Sequence, residues 1–267
     1  MWDFEHPPLA SKLAERYHLH YTLPSLCADE LLAGRADLGL IPIASLTPEL
    51  AIVPGCAIAS LGEVRSIQLI VKAPHTLETV RTVAADNASR SSRAYAQILF
   101  RRFLGISPAF QTEPADPILM LRQADAALLI GDPALLALEC RDQIEAAVGP
   151  CQWFDLAQEW NIRTGLPWVA AVWAVRPESL SASGITASEL IHDLTESRDH
   201  GRVHVEDLIE EWTPRIALSP DTIRHYFTSN IHYVLTPECL QTISHFRQYA
   251  AEAGILPPLQ DLRFLAP

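Results

Sequence analysis

The chain has 267 residues, of which 49% are hydrophobic and 19% charged, so it can bury a substantial core and is not a disordered polymer. The 32 Asp and Glu residues outnumber the 20 Lys and Arg residues, and the net charge of −12 argues against a general affinity for nucleic acid or an anionic membrane. An anionic ligand therefore needs a local group of donors. Since only Lys12 and Lys72 are lysines, nearly all of the positive charge is guanidinium, which binds carboxylates through paired hydrogen bonds.

The cysteines and the apolar stretches favour a cytoplasmic protein. The five cysteines are odd in number, scattered and without a C-x-x-C pair, so neither a disulfide framework nor a zinc knuckle is predicted. The first residues carry Asp3, Glu5 and His6 where a signal peptide would be basic and then apolar. The most apolar stretch, residues 38–61, contains three prolines and cannot form one membrane-spanning helix.

The first quarter of the chain alternates helical and strand patterns. Leu9, Leu13 and Tyr17 have helical spacing, and the alternating residues His18 to Thr22 predict a strand. A helix ending at Gly34 and a short apolar strand over residues 36–41 follow. This pattern is typical of an α/β protein.

Two apolar runs, residues 66–72 and 168–175, bracket a self-contained series of strands and helices. About 100 residues is a normal domain size, so this series is predicted to be an inserted domain joined by two chain crossings. After Arg176 the pattern is mainly helical. We therefore predict an α/β fold of two lobes with a two-strand hinge and an interlobe cleft. Residues 1–72 and 176–267 would form lobe 1 and residues 73–175 would form lobe 2, the alternative being one unbroken sheet.

The start of the helix after residue 86 is the most informative polar segment. Two arginines in the first helical turn are locally unfavourable, since the helix dipole disfavours a cation there by about 0.3–1 kcal/mol. An anionic ligand would explain them, because hydroxyls, backbone N–H groups and guanidinium would converge on a carboxylate. The alternative is an ordinary serine cap with the arginines in solvent or paired with Asp86. The candidate residues of this segment are Ser89, Arg90, Ser91, Ser92 and the ambiguous Arg93.

Four further polar residues follow predicted strands or helices. Asp132, after Gly131, would either orient a ligand hydroxyl or cap the next helix. Ser45 and Ser66 lie at strand ends, where a small hydroxyl can face a cleft, and Thr164 precedes the second crossing strand. On the alternative interpretation these are ordinary loop and turn residues.

Sequence motifs for cofactors are not found. The chain has no G-x-G-x-x-G, no P-loop and no G-x-S-x-G, so neither a nucleotide cofactor nor a nucleophile elbow is predicted. His200 and His204 have metal-ligand spacing on a helix, but the glutamate of H-E-x-x-H is absent, and we predict no metal site.

Several ordered blocks together resemble a known family. The blocks at residues 38–45, 58–66, 86–92, 127–132 and 164–174 are similar to the menaquinone biosynthetic family of the futalosine pathway. Within it they resemble the chorismate dehydratase branch more than the later naphthoate synthase. The resemblance covers most of the chain to about Arg176. It implies a type II periplasmic-binding-protein-like fold used as a cytoplasmic enzyme without metal or organic cofactor.

The resemblance also implies a reaction and a set of site residues. Chorismate would lose water to give 3-[(1-carboxyvinyl)oxy]benzoate, a step driven by formation of an aromatic ring, so that the protein chiefly positions a dianion and stabilises charge. Carboxylate binding is expected of the hydroxyl and guanidinium donors, and Asp132 is expected to assist the departing hydroxyl. In this family the side-chain carboxylate of the substrate can itself take the proton. The expected substrate-binding residues are Ser45, Ser66, Ser89, Arg90, Ser91, Ser92 and Thr164.

One departure from the family lies at the first residues. Family members begin with a short strand and an asparagine-containing turn, whereas the segment from Met1 to Phe4 corresponds to the first helix. Because no residue matches that asparagine, we expect this version of the protein to be folded but poorly active. Two other functions stay open, a non-enzymatic binder of a small carboxylate and a naphthoate synthase.

Overall fold

A computed structural model of the protein describes residues 1–86, 90–258 and 261–266. Its strands are β1 Leu38–Pro42, β2 Ala51–Ser60, β3 Ile67–Lys72, β4 Thr82–Asp86, β5 Ala109–Glu113, β6 Ala126–Ile130, β7 Cys151–Asp155, β8 Trp168–Val175 and β9 His232–Val234. Its helices are α1 Trp2–Glu5, α2 Ala10–Leu13, α3 Pro24–Leu32, α4 Arg90–Ile98, α5 Pro117–Gln123, α6 Asp132–Glu139, α7 Arg141–Val148, α8 Leu156–Thr164, α9 Pro177–Ser183, α10 Ala187–Val203, α11 Val205–Trp212, α12 Pro220–His225 and α13 Pro237–Glu252.

The middle of the chain forms a five-stranded mixed sheet in the order β5-β4-β6-β3-β7. Strands β5, β4 and β6 are parallel, whereas β3 pairs antiparallel with both β6 and β7. In β6 successive side chains enter different cores, with Leu128 in one and Leu129 in the other. Both faces of this sheet are therefore covered, which explains the nearly continuous apolar runs of its central strands.

The two ends of the chain form a four-stranded antiparallel sheet in the order β1-β8-β2-β9. Val175 of β8 lies opposite both Leu38 of β1 and Ala51 of β2, so β8 lies between these two strands, and β2 pairs in turn with the C-terminal strand β9. The short strand β9 was not predicted from the sequence. Its three residues are too few to produce a readable alternation of apolar and polar side chains.

The predicted α/β fold is confirmed, and the strand pairing shows two strands in a different sheet from the one that the predicted lobe boundaries imply. Strand β3 was assigned to lobe 1 and pairs with the strands of the middle region, while β8 was assigned to lobe 2 and pairs with the chain ends. The chain thus crosses between the sheets before β3 and again between β7 and β8. Apolar character alone could not reveal this, because a buried strand has the same composition in either sheet.

One apolar core runs under both sheets. It contains Ile52 and Val169 from the four-stranded sheet together with Leu69 and Leu128 from the five-stranded sheet. Tyr95 of α4 lies at its centre, where its hydroxyl donates to the backbone oxygen of Val169 at 3.0 Å. Its ring packs on three aromatic side chains, those of Trp160, Trp168 and Phe246. The two sheets are therefore tied together by buried packing as well as by the two crossings.

The strand predicted for His18 to Thr22 is wrong. These residues have neither helical nor strand structure, and all of them are exposed. A strand needs a neighbour for its backbone hydrogen bonds, and in the described part of the chain β1 is paired with β8 alone. Alternation was therefore not sufficient to make a strand.

The helical character predicted after Arg176 is confirmed. Helix α10 runs on to Val203, and α12 continues through Tyr226–Asn230 as a wider π-helical turn. Over the described ranges, no helix is both long enough and apolar enough to cross a membrane.

Candidate active site

A buried carboxylate fixes the first crossing between the sheets. Asp155, at the end of β7, accepts hydrogen bonds from the backbone N–H groups of Val64 and Arg65 at 3.1 and 2.6 Å. It also caps α8 through the N–H groups of Ala157 and Gln158. Burial raises the pKa of Asp155, while these N–H donors act in the opposite direction. One side chain thus holds the crossing and the start of α8 in place.

Ser66 follows this crossing and lies at a meeting point of three elements. Its backbone oxygen accepts from the N–H of Gly131 at 2.8 Å, which places the start of α6 beside β3. Its Oγ accepts a hydrogen bond from the hydroxyl of Tyr226 at 3.0 Å. Burial raises the pKa of Tyr226, and the negative charge of Asp132 raises it further. Ser66 is therefore bonded to Tyr226 and lies beside the start of α6 at Asp132. Ser66 and Asp132 are predicted site residues, whereas Tyr226 is not.

Asp132 does not act as the cap of its helix. Helix α6 begins at Asp132 itself, and the preceding Gly131 has φ 64°, a left-handed conformation that favours glycine. No side-chain cap bond is made at this helix start. The alternative interpretation of Asp132 as a plain N-cap is therefore wrong, and its carboxylate lies exposed at the first turn.

Ser91 and Ser92 are buried at the start of α4. The Oγ of Ser91 accepts from the N–H of Ala44 at 3.3 Å and donates to the carbonyl of Ala170 at 3.1 Å. These bonds join the first turn of α4 to β8 and to the turn that follows β1. Ser92 is 5% exposed. Both serines are buried, and the hydroxyl of Ser91 is bonded to backbone groups of the turn after β1 and of β8.

The arginines of this segment make contacts within the protein. Arg90 donates to the carboxylate of Asp29 on α3 at 2.7 Å, in an ion pair that is 40% and 46% exposed. Arg93 donates to Thr112 and to the carbonyl of Phe110. The alternative interpretation paired these arginines with Asp86, but the structure pairs Arg90 with Asp29. An ion pair this exposed leaves the guanidinium open to exchange with another anion.

The other predicted site residues lie apart. Ser45 is half-buried at the end of the 3₁₀ turn Ile43–Ser45. Thr164 ends α8, where its hydroxyl donates to Trp160 and accepts from the N–H of Leu166, so it completes the end of that helix. Ser89 lies outside the described residues. The roles of all these residues in substrate binding stay predictions.

A cavity of about 560 Å³ lies on one face of the four-stranded sheet, and we call it the sheet cavity. Its floor is formed by side chains of β1, β2 and β8, among them Leu40, Ile58 and Trp173. Its walls come from α10, α11, the π-helical turn and β9. Its volume is typical of a small-molecule site. None of the predicted site residues that the structure describes lines it, although Phe227 on its wall directly follows Tyr226.

Sequence analysis missed Tyr226, Asp155 and the sheet cavity. Tyr226 lies 160 positions from its partner Ser66, so no local motif could connect them. Asp155 resembles any residue that caps a helix. The cavity has no sequence motif, because its lining residues come from six separate parts of the chain. The one indication of this region in the sequence is a short segment with aromatic residues at both ends, Tyr226 and Phe227 at its start and Tyr233 at its end.

His200 and His204 are occupied by other contacts. The Nδ1 of His200 lies 2.8 Å from the Asp3 carboxylate, which raises the pKa of His200. His204 stacks on one side of Trp2, with ring centroids 4.3 Å apart, and His6 stacks on the other side at 3.7 Å. These histidines attach α1 to α10 and α11.

Solved structures resemble the fold. Protein AF1704 from Archaeoglobus fulgidus superposes with a TM-score of 0.68 and 14% identity, covering 96% of this chain and 94% of that one. The periplasmic aliphatic sulphonate binding protein SsuA from Escherichia coli gives a TM-score of 0.63 and 14% identity, covering 97% and 88%. At these identities the likeness establishes the fold, and the predicted periplasmic-binding-protein-like architecture is confirmed.

Sequence comparison identifies the family. A curated relative, the chorismate dehydratase of Thermus thermophilus, is 26% identical over 237 residues, which cover 85% of this chain and 84% of that protein. The family model described as menaquinone biosynthesis matches residues 3–252. Because this match spans nearly the whole chain, the chain belongs to the menaquinone biosynthesis family.

Proposed function

We propose that the protein is a chorismate dehydratase that supplies an aromatic precursor for menaquinone. The observation that carries this proposal is the continuous similarity to the chorismate dehydratase of Thermus thermophilus over 237 residues, on both sides of the inserted unit. A relative that shared only the fold would not be expected to retain this similarity through both lobes. The family match over residues 3–252 supports the same pathway.

The reaction is an elimination that conserves all atoms of chorismate in two products. The hydrogen on the ring carbon that bears the ether leaves as a proton, and its electron pair delocalises through the diene toward the ring carboxylate. The neighbouring hydroxyl leaves as hydroxide, the ring becomes aromatic, and proton and hydroxide combine as water. The product is 3-[(1-carboxyvinyl)oxy]benzoate. Since aromatisation drives the step, holding the dianion and stabilising developing charge are the main tasks of the protein.

The hydrogen bond between Tyr226 and Ser66, beside the start of α6 at Asp132, supports the part of the site near the leaving hydroxyl. Tyr226 is buried with a raised pKa, so its hydroxyl keeps its proton and is a hydrogen-bond donor at neutral pH. The exposed carboxylate of Asp132 would orient the departing hydroxyl or the water that forms from it. The carboxylates of the substrate remain to be bound by cations and hydroxyls around the junction of the sheets.

The compartment and the lobe boundaries are part of the proposal. All five cysteines are free thiols, in line with a reducing compartment, and we place the reaction in the cytoplasm. We divide the lobes at the two crossings, which assigns β3 to lobe 2 and β8 to lobe 1.

The test is incubation of the purified protein with chorismate, followed by ultraviolet absorption and mass detection of a product lighter by one water. Denatured protein is the control for spontaneous decay of chorismate. Protein that binds chorismate by calorimetry and returns it unchanged would be a carboxylate binder. Formation of a naphthoate product from the substrate of the related synthase, without dehydration of chorismate, would contradict the proposal in favour of that branch.

A further inference from the structure

A strained residue lies directly before Ser66. Arg65 has φ 63°, and among the described residues it is the one non-glycine residue in the left-handed region. The N–H of Ser66 donates to the carbonyl of Val64 at 2.8 Å, so Arg65 is the central residue of a γ-turn. A γ-turn with positive φ is strained for a residue that has a Cβ atom, whereas glycine adopts it readily. Backbone strain of this kind clusters at active sites and ligand-binding positions.

Two buried side chains hold this turn. Asp155 accepts from the N–H of Arg65 at 2.6 Å, and the Nε2 of Gln68 donates to the Arg65 carbonyl at 3.1 Å. The same Nε2 donates to Asp155 at 3.2 Å, so the two side chains also support each other. Asp155 and Gln68 are 8% and 3% exposed. Both polar backbone groups of Arg65 are therefore fixed from within the protein, and a strained turn persists only with such support.

The side chain of Arg65 takes no part in this support. In the part of the chain that the structure describes, its guanidinium makes no hydrogen bond and no ion pair. The arginines at the start of α4 are engaged within the protein, Arg90 with Asp29 and Arg93 with two groups of β5. Arg65 is thus the arginine beside Ser66 whose donors remain available for a ligand.

The charge at this crossing favours a cation beside the substrate. The N–H of Gly131 donates to the carbonyl of Ser66, so the start of α6 with the acidic Asp132 lies next to Ser66. A substrate with two carboxylates would be repelled by Asp132 unless a positive group lies close by. Consecutive Cα atoms are about 3.8 Å apart, so the long Arg65 side chain can reach a ligand that contacts Ser66. A guanidinium also fixes the orientation of a carboxylate through two parallel hydrogen bonds.

We propose that Arg65 is a specificity-determining residue whose guanidinium binds one carboxylate of the substrate beside Ser66, and that Asp155 and Gln68 are positioning residues that hold it there through the left-handed turn. This inference rests on the proposed function and deepens it. The strain at Arg65 is then the consequence of placing a cation at a turn where glycine fits the backbone better. Asp155 acts on the ligand only through the Arg65 backbone, because its own carboxylate is buried and bonded to N–H groups.

Arg65→Gly separates the backbone from the side chain. Glycine relieves the strain, so the midpoint of thermal unfolding should stay equal or rise. Loss of the guanidinium should weaken binding of isophthalate, an unreactive ring dicarboxylate, at least about tenfold in isothermal titration calorimetry. Arg65→Lys, which keeps the charge, should weaken binding less. A merely structural arginine would not combine an unchanged or higher midpoint with weaker binding.

The matched control is Arg81→Gly. Arg81 is exposed, and its backbone N–H is likewise held by an aspartate, Asp125, at 2.9 Å, but its φ is not positive. This variant should leave isophthalate binding unchanged and should not raise the midpoint. Isophthalamide, the neutral counterpart of the probe, should not distinguish Arg65→Gly from the parent, because it offers no charge to the guanidinium.

A double-mutant cycle tests the positioning role. Asp155→Ala should weaken isophthalate binding in the parent but leave it nearly unchanged in Arg65→Gly, where the cation that it positions is gone. Thermal denaturation checks that each variant is folded at the temperature of the titration. If Asp155→Ala is unfolded, Gln68→Met, which removes the bond to the Arg65 carbonyl, takes its place in the cycle. Equal weakening in both backgrounds would overturn the positioning role.

The outcomes separate this inference from the proposed function. Unchanged isophthalate binding by Arg65→Gly, a lower midpoint of that variant, or no binding by the folded parent would overturn the inference even if the parent dehydrates chorismate. Loss of probe binding in Arg65→Gly without dehydration of chorismate by the parent would support Arg65 as an anion-binding residue and contradict the proposed function. Loss of probe binding together with a raised KM for chorismate and a smaller change in kcat supports both.

Discussion

The two sheets differ in how completely their faces are covered. The five-stranded sheet has one core on each face, and its central strands are buried almost throughout. The four-stranded sheet is covered on one face by the shared core. Its other face is covered only in part by α1 and α10, and the sheet cavity occupies the remainder. The difference shows that the five-stranded sheet is packed on both faces, whereas the four-stranded sheet leaves space on one of them.

The largest expected effect is a loss of stability in the five-stranded sheet, and it tests this difference between the sheets directly. Leu128→Ala removes a fully buried side chain from β6 and should lower the free energy of unfolding by about 2–5 kcal/mol. Leu40→Ala, on the half-buried floor of the sheet cavity, should cost about 1 kcal/mol or less, since its atoms already face open space. Urea denaturation at neutral pH measures both values. Equal losses at the two positions would show that the faces are packed alike.

The crossing between the sheets should be the next most sensitive place. Asp155→Asn replaces one acceptor oxygen by an NH₂ group, so that either the N–H of Arg65 or those of Ala157 and Gln158 lose their acceptor, and it should cost about 1–3 kcal/mol of unfolding free energy. Asp116→Asn is the matched control, because Asp116 caps α5 on the surface and binds no residue of the crossing. If both substitutions cost the same in urea denaturation, Asp155 acts merely as a helix cap.

The contact from the C-terminal helices to the five-stranded sheet should give a smaller effect on stability. Tyr226→Phe removes the hydrogen bond to Ser66 and should cost about 1 kcal/mol of unfolding free energy. It should also lower kcat for chorismate if the hydroxyl assists the elimination. Tyr17→Phe, which loses a bond to Asp193 far from this contact, serves as the control and should leave kcat unchanged.

The smallest effect is expected where α1 meets α10. Because Asp3 raises the folded pKa of His200, their interaction stabilises the fold fully below the unfolded histidine pKa of about 6.5. This contribution is lost as the pH rises through the raised folded value. His200→Asn should therefore reduce the midpoint of thermal unfolding more at pH 6 than at pH 8. A reduction of the same size at both pH values would exclude an ionic contribution, and the exposed His20→Asn should cause none.

The sequence predicted the elements of the middle region better than those of the first quarter. Strands β4 and β6 follow from apolar runs whose neighbours are close in the chain. His18 to Thr22 shows equally good alternation, but no described strand pairs with it. Local patterns report the tendency of a segment to be extended, whereas a strand also needs a partner for its hydrogen bonds.

The candidate site was predicted in part. Ser66, Ser91 and Asp132 were recognised because strand-to-helix turns have local signatures, and the structure places them near the junction of the sheets. Tyr226 was not recognised, since it belongs to a helical segment whose sequence carries no motif. Arg90 was favoured on helix-dipole grounds, yet the nearby Asp29 of α3 provides it with an anion.

The sequence by itself determined the α/β class, the helical tail and the family, because periodicity, turn residues and ordered blocks are local properties of the chain. Only the tertiary structure decided which sheet each crossing strand joins, which acid pairs with Arg90, and where the sheet cavity opens. Those outcomes depend on contacts between residues far apart in sequence, and the free energy of such contacts is set by packing and burial.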